Sequence, residues 1–256
     1  MRNPILAIVL LALPAAAQIP TAGFVQYAST FNVQRPYDLP VSARFSDTGG
    51  MYTTWVYPKD KPHVLNNTTA PRTEMRWETW TNQGIDHMWE ADVMYESHCN
   101  KTCIMQVKNT VAGEAIYLRV VDGGDLIWLG TNSIILRGYY GKWFNLKSAF
   151  NPATGIARVW VDDKLIATNN RGKGGSWYFK NGTYTVEGIG PAVAHFKNIK
   201  LRVYSPGAVG LAAIAPNGAL PGPRLGFDAR GRLVRNPARA EDTPLPVLQR
   251  TAISVK

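Results

Sequence analysis

Three short stretches gather the residues of this chain that can do chemistry: Arg72-Thr73-Glu74-Met75-Arg76, Gln106-Val107-Lys108 and Tyr178-Phe179-Lys180-Asn181-Gly182-Thr183-Tyr184. Successive side chains of an extended strand point to opposite faces. Read as strands, the first presents Arg72, Glu74 and Arg76 together, the second Gln106 and Lys108, and the third Tyr178 and Lys180. Tyr184 joins them if the strand stays regular through Gly182. Cations, an amide and phenols in one cleft suit a ligand dense in carboxylates, such as an anionic sugar. A plainer reading makes the charged residues a ladder on a solvated face and the two tyrosines ordinary sheet packing. Agreement of residue type and order across three strands favours the cleft.

The elements that would position these faces are short strands. From about Gly23 to Tyr204, brief alternating segments are broken by Gly, Asn, Asp and Pro, with no amphipathic helical pattern of useful length. That predicts an all-β sandwich or jelly roll. Ala115 to Val121 sets Ile116, Leu118 and Val120 against Tyr117, Arg119 and Val121, which adds Tyr117 and Arg119 to the polar face. Gly141 to Lys147, Asn151 to Gly155 and Ala157 to Lys164 read as strand, turn and strand, with a second reversal at Asp162-Asp163. This hairpin series resembles those of concanavalin-like β-jelly roll sandwiches, in which one curved sheet bears the ligand groove. Trp77, Trp80, Trp89 and Trp177 read as core.

Composition narrows the setting. Arg2, the apolar run from Ile5 to Leu13 and the small residues ending at Ala17 have the layout of a secretory signal peptide over residues 1–17. The run is too short for an ordinary transmembrane helix. Residues 18–205 then form one β domain. Residues 206–256, rich in Pro, Gly, Ala and Arg, offer too little apolar surface to offset their ordering entropy and read as a tail. Phe227 to Arg235 and Leu245 to Val255 are its candidates for a short strand or docking element. Eight Trp, eleven Tyr and eight Phe suit a large sheet core.

The net charge of +10 implies a polyanionic partner. In a secreted, extracellular chain that partner is an acidic polysaccharide; no nucleic-acid signature is visible, and no membrane partner, cofactor or metal is expected. A monomer is expected. Cys99 and Cys103 are the only cysteines, and in an exporting compartment their proximity predicts a small disulfide loop. Asn66, Asn67, Asn100 and Asn181 each begin a glycosylation sequon, the last inside the third of these stretches. His63, His98 and His195 are isolated and read as surface or structural.

The three stretches resemble, in order and type, the motifs of the jelly-roll alginate lyases of polysaccharide lyase family 7 and of the related glucuronan lyases. The family pattern is Arg-Ser/Thr-Glu-aliphatic-Arg, then Gln-Ile/Val-His, then Tyr-Phe-Lys-Ala-Gly-X-Tyr-X-Gln, and the likeness covers roughly Gly23 to Tyr204. Lys108 stands where the family has its histidine, and Thr185-Val186 follow Tyr184 where a polar pair ending in glutamine is usual. The resemblance implies an endo-acting polysaccharide lyase that cleaves a 1,4-linked polyuronate, of alginate or glucuronan type, by β-elimination. Arg72 or Arg76 and Gln106 would neutralise the uronate carboxylate as charge develops. Tyr184 matches the catalytic tyrosine: it would protonate the departing O4 and, with no histidine at 108, also serve as base. Glu74, Lys108, Tyr178, Lys180, Tyr117 and Arg119 would bind substrate.

His87 is the alternative base, because Asp86 to Asp92 reads as the strand that follows the Arg72 strand, and its ordinary pKa suits proton transfer near neutrality. Two rivals stand beside the lyase. A carbohydrate-binding, lectin-like jelly roll would use the same groove without catalysis. A glycoside hydrolase would use paired carboxylates of the run Glu90 to Glu96, although its spacing differs from such enzymes by one residue.

Overall fold

Hydrophobic alternation becomes two stacked antiparallel sheets. The computed structural model describes residues 20–205 apart from 82, 83, 112, 132, 186 and 189, together with the backbone of 225–227 and 233–235. The expected signal peptide, and the tail apart from those two short strands, lie outside the described residues. The chain divides into two units, Met1–Ala213 and Ile214–Lys256. In the second, β16 (Leu225–Phe227) pairs antiparallel with β17 (Leu233–Arg235).

In the first unit, the sheet we call the outer sheet runs in the order β13 (Lys164–Asn170), β12 (Ile156–Val161), β11 (Phe144–Phe150), β6 (His87–Tyr95), β15 (Ala192–Tyr204), β4 (Met51–Val56) and β3 (Phe45–Thr48). β1 (Phe24–Tyr27) also pairs with β15. The second, the groove sheet, runs β10 (Ile134–Leu136), β9 (Leu126–Trp128), β8 (Glu114–Val120), β7 (Thr102–Asn109), β14 (Trp177–Tyr184), β5 (Arg72–Trp77) and β2 (Phe31–Gln34). Among the described residues, single 3-10 turns at Val41–Ala43 and Asp122–Gly124 are the only helical elements. The expected all-β jelly-roll sandwich is the observed fold, and the reversal at Asp162-Asp163 is formed by two residues with positive φ.

One face of each sheet makes the core. β6 contributes Trp89, Ala91, Val93 and Tyr95, while the groove sheet contributes Met75, Met105, Val107, Ile116, Leu118 and Phe179. Burying each large apolar side chain favours folding by about 1.5–3 kcal/mol, so this interlayer dominates stability. All four tryptophans read as core are buried. Asn181 is also fully buried and accepts a hydrogen bond from Trp77 Nε1 at 2.8 Å, which closes its sequon in the folded chain.

Two expectations are corrected here. His87 follows the Arg72 strand in sequence, but its strand β6 belongs to the outer sheet and carries the imidazole into the interlayer. There it stacks on Trp80 at 4.7 Å and meets Tyr27 edge-on at 6.3 Å, with neither ring nitrogen hydrogen-bonded. It is therefore not a groove residue and cannot be the base. The carboxylates Glu90 and Asp92 alternate with the inward residues of β6, so they face away from the core and away from the groove. Glu90 is engaged by Arg202 at 2.9 Å and Lys147 at 3.7 Å, and Asp92 by Asn145 and Asn198. No hydrolase pair faces the groove from this strand.

The cysteines also depart from expectation: both are free. Cys99 belongs to the interlayer core and its thiol reaches the Val193 carbonyl at 3.1 Å. Cys103 lies opposite Arg119 and Tyr184 in register, on the groove side of its sheet. A sheet separates the two thiols, which a disulfide cannot bridge. Burial pushes Cys99 up to about 12 and Cys103 well above its usual value, so neither is a reactive thiolate. Native protein should resist alkylation at neutral pH, and denaturation without reductant should expose two alkylatable thiols; labelling that requires a reductant would show a disulfide instead.

Burial holds His87 at about 3. The unfolded imidazole titrates near 6.5, so between these values the unfolded chain binds the extra proton. Stability from neutral burial is complete above about pH 6.5 and falls as pH drops toward 3, by up to about 5 kcal/mol. His87→Phe, which suits the aromatic cage, should flatten the dependence of Tm on pH across that window; an unchanged slope would contradict the assignment.

Candidate groove site

Three adjacent strands build the site, and a register explains why. β14 pairs with β5 so that Lys180 faces Arg76, Gly182 faces Glu74 and Tyr184 faces Arg72. On its other side β14 pairs with β7, setting Tyr178 beside Lys108 and Lys180 beside Gln106. Because strand side chains alternate, the residues predicted for one polar face do share it. The β14–β5 register is continuous through Gly182, whereas the β14–β7 register shifts between Asn181 and Tyr184. Gly182 has φ +151°, and a Cβ there would lie 2.2 Å from the Thr73 carbonyl oxygen, so only glycine allows the strands this approach.

Glu74 is the centre. Its side chain is 1% exposed and accepts from Lys180 Nζ at 2.9 Å, Gln106 Nε2 at 2.5 Å and Arg72 Nη1 at 3.4 Å. Arg72 also lies over the Tyr184 ring at 4.0 Å, and Arg76 over the Tyr178 ring at 4.2 Å. Two cations, Arg72 and Lys180, therefore hold one carboxylate, while Arg76, two residues along the same strand, reaches Thr79 at 3.3 Å and does not line the cavity. Burial lowers the Lys180 pKa, with Glu74 opposing that shift and Arg72 reinforcing it. The surplus positive potential favours an anionic ligand.

Above these strands lies a cavity of about 290 Å³, whose lining includes Arg72, Gln106, Lys108, Tyr178, Lys180 and Tyr184. Lys108 is committed to Glu114 across the β7–β8 pair at 2.7 Å. Tyr117 and Arg119 do not line the cavity. Tyr117 meets the Tyr184 ring edge-on at 6.4 Å, with Arg119 6.0 Å from its own centroid. They back Tyr184 instead of facing a ligand in the cavity. Burial raises the Tyr117 pKa above its usual value.

Sequence reasoning missed Gln34, His63 and Thr69, which complete the cavity wall. Each has a buried polar atom without a protein partner: Gln34 Oε1, His63 Nδ1 and Thr69 Oγ1. None carries a motif. The usable signal was proximity, since His63 and Thr69 belong to the connection that runs directly into the Arg72 strand.

Removing the Glu74 carboxylate would leave Arg72 and Lys180 buried without their counter-charge. Glu74→Ala is expected to lower unfolding free energy by about 3–5 kcal/mol in urea denaturation, whereas loss of an exposed pair would cost at most about 1 kcal/mol. A loss in the lower range would show that the carboxylate is not the hub.

No family model matches the chain. Among solved structures, it is similar to an alginate lyase of polysaccharide lyase family 7, at 17% identity over 72% of this chain and 95% of that chain, with TM-score 0.54. It is also similar to an alginate lyase from Pseudomonas aeruginosa, at 18% identity over 67% and 97% of the two chains, with TM-score 0.53. A third alginate lyase of that family gives 20% identity, 69% and 96% coverage and TM-score 0.53. At these identities the likeness establishes the fold. In sequence, the chain is 31% identical over 188 residues to the citrate-binding protein of Hevea brasiliensis, covering 71% of this chain and 78% of that protein. The chain thus belongs to the family of the Hevea citrate-binding protein and carries the jelly-roll sandwich of the family 7 alginate lyases.

Proposed function

We propose that the groove binds a 1,4-linked polyuronate and cleaves it by β-elimination, acting within the polymer. The observation that carries this reading is the surplus of Arg72 and Lys180 over Glu74 beside the Tyr184 phenol, with Arg76 stacked on Tyr178 further along the same strand. The C5 proton of a uronate becomes acidic only as its carboxylate is neutralised. Preorganised cations and the Gln106 amide supply that neutralisation where the enolate charge develops. Tyr184 can give its phenolic proton to O4 as the C4–O4 bond breaks. The lyase fold and the matching strand motifs support the same chemistry. The layout of residues 1–17 supports export, which would bring the groove to extracellular polymers.

A second reading has its own observation. Lys108 replaces the family histidine and is paired with Glu114, while the Hevea relative is named for binding citrate. Arg72 and Lys180 around the single Glu74 carboxylate would equally hold a compact polycarboxylate or a uronate chain without eliminating it.

Ultraviolet absorbance of the new C4=C5 bond separates the two. Wild-type protein mixed with polymannuronate, polyguluronate and glucuronan should generate absorbance and a ladder of unsaturated oligomers on at least one polymer. Tyr184→Phe should lower kcat by about 10²- to 10⁴-fold with KM little changed. Absence of the product on all polymers, with calorimetric binding of citrate or oligouronate retained, would establish the binding reading.

A further inference from the structure

The elimination needs a group to accept the C5 proton, and position 108 holds a lysine already committed to Glu114. The cavity has one imidazole, that of His63. It arrives on the connection from β4 in the outer sheet to β5 in the groove sheet, residues 57–71. That connection is pinned along its length. Asp60 accepts from the Tyr57 amide at 2.8 Å and from two nitrogens of Arg44 at 2.6 and 2.7 Å. The Pro62 carbonyl accepts from the Tyr37 amide at 3.0 Å, the Asn67 amide donates to Val64 at 3.2 Å, and the Thr69 amide donates to Asn67 Oδ1 at 2.8 Å. At the end, Pro71 receives the Thr185 amide from the chain just beyond Tyr184 at 2.9 Å. His63 is thus a fixed part of the wall.

We propose that His63 is the proton acceptor of the elimination, taking the place of a histidine at position 108. This rests on the lyase reading above. In the step, an imidazole nitrogen of His63 forms a bond to the C5 proton. The C5–H electron pair becomes the C4=C5 π bond, the C4–O4 bond breaks, and O4 takes the Tyr184 hydroxyl proton. Proton exchange with water then restores neutral imidazole and phenol.

The electrostatic setting fits a base that is strengthened by its substrate. Burial, then the positive charges of Arg72 and Lys180, lower His63 to about 4, with Glu74 opposing them. The other charged and titratable groups lining the same cavity are Lys108 with its partner Glu114, Tyr178 and Tyr184. The free protein therefore holds His63 neutral, ready to accept a proton, at any pH above about 4. A uronate carboxylate between Arg72 and Lys180 offsets their field and adds a negative charge of its own, which moves the imidazole back toward its ordinary value and makes it a stronger base. The basicity would rise with substrate in place.

The test uses full-length protein with His63→Ala and His63→Asn, on the polyuronate that wild type cleaves. Both variants should melt as wild type does, lose kcat by about 10²- to 10⁴-fold with KM little changed, and regain part of it with added imidazole. In wild type, the His63 ring resonance should titrate near 4 when free and at higher pH when a saturated oligouronate is bound. Unchanged kcat in His63→Ala, recovery in His63→Asn, or a bound titration no higher than the free one would overturn the assignment while leaving the lyase intact. A wild type without any unsaturated product would overturn the lyase reading and this proposal together.

Discussion

The buried charges on the floor of the groove are organised around the Glu74 carboxylate, at the junction of three strands. An isolated carboxylate taken out of water costs several kcal/mol, so its position is tenable only because Lys180, Gln106 and Arg72 donate to it. The dependence runs both ways. Lys180 is as deeply buried as its partner and would carry the same penalty alone. The cluster therefore ties β5, β7 and β14 through their side chains as well as their backbones. A shift of one residue in any of these strands would turn its polar set into the core.

That constraint explains how a polar, charged groove coexists with a stable sandwich. The same strands that present Glu74, Gln106 and Lys180 outward send Met75, Met105, Val107 and Phe179 into the interlayer. Gly182 allows the close approach that keeps β14 aligned with β5 at this point. Aromatic rings then complete the polar side: Arg72 rests on Tyr184 and Arg76 on Tyr178, which limits the rotamers of two flexible cations and holds them ready for an anion. Preorganisation of this kind is what electrostatic stabilisation of developing charge requires.

The rest of the cavity wall has a different origin. It is contributed by a pinned connection that crosses from one sheet to the other and by the end of β2, and it brings His63, Thr69 and Gln34 with unused hydrogen-bonding atoms. A jelly roll can thus retain a fixed cationic floor while its connections change the acid–base chemistry above it.

The period-2 alternation of the sequence determined which residues of each strand share a face, because that rule is local and needs no knowledge of neighbours. Arg72, Glu74, Arg76, Gln106, Lys108, Tyr178, Lys180 and Tyr184 were legible as one polar set for that reason, as was the all-β class. Tertiary structure alone decided what depends on pairing between distant segments. It placed β6 in the outer sheet, and so took His87, Glu90 and Asp92 away from the groove. It set Cys99 and Cys103 on opposite sides of the groove sheet despite four residues of separation, because a reversal of the chain intervenes between β6 and β7. It also brought His63 to the cavity, an isolated histidine whose significance comes from the fields of Arg72 and Lys180 across space, which no local spacing encodes.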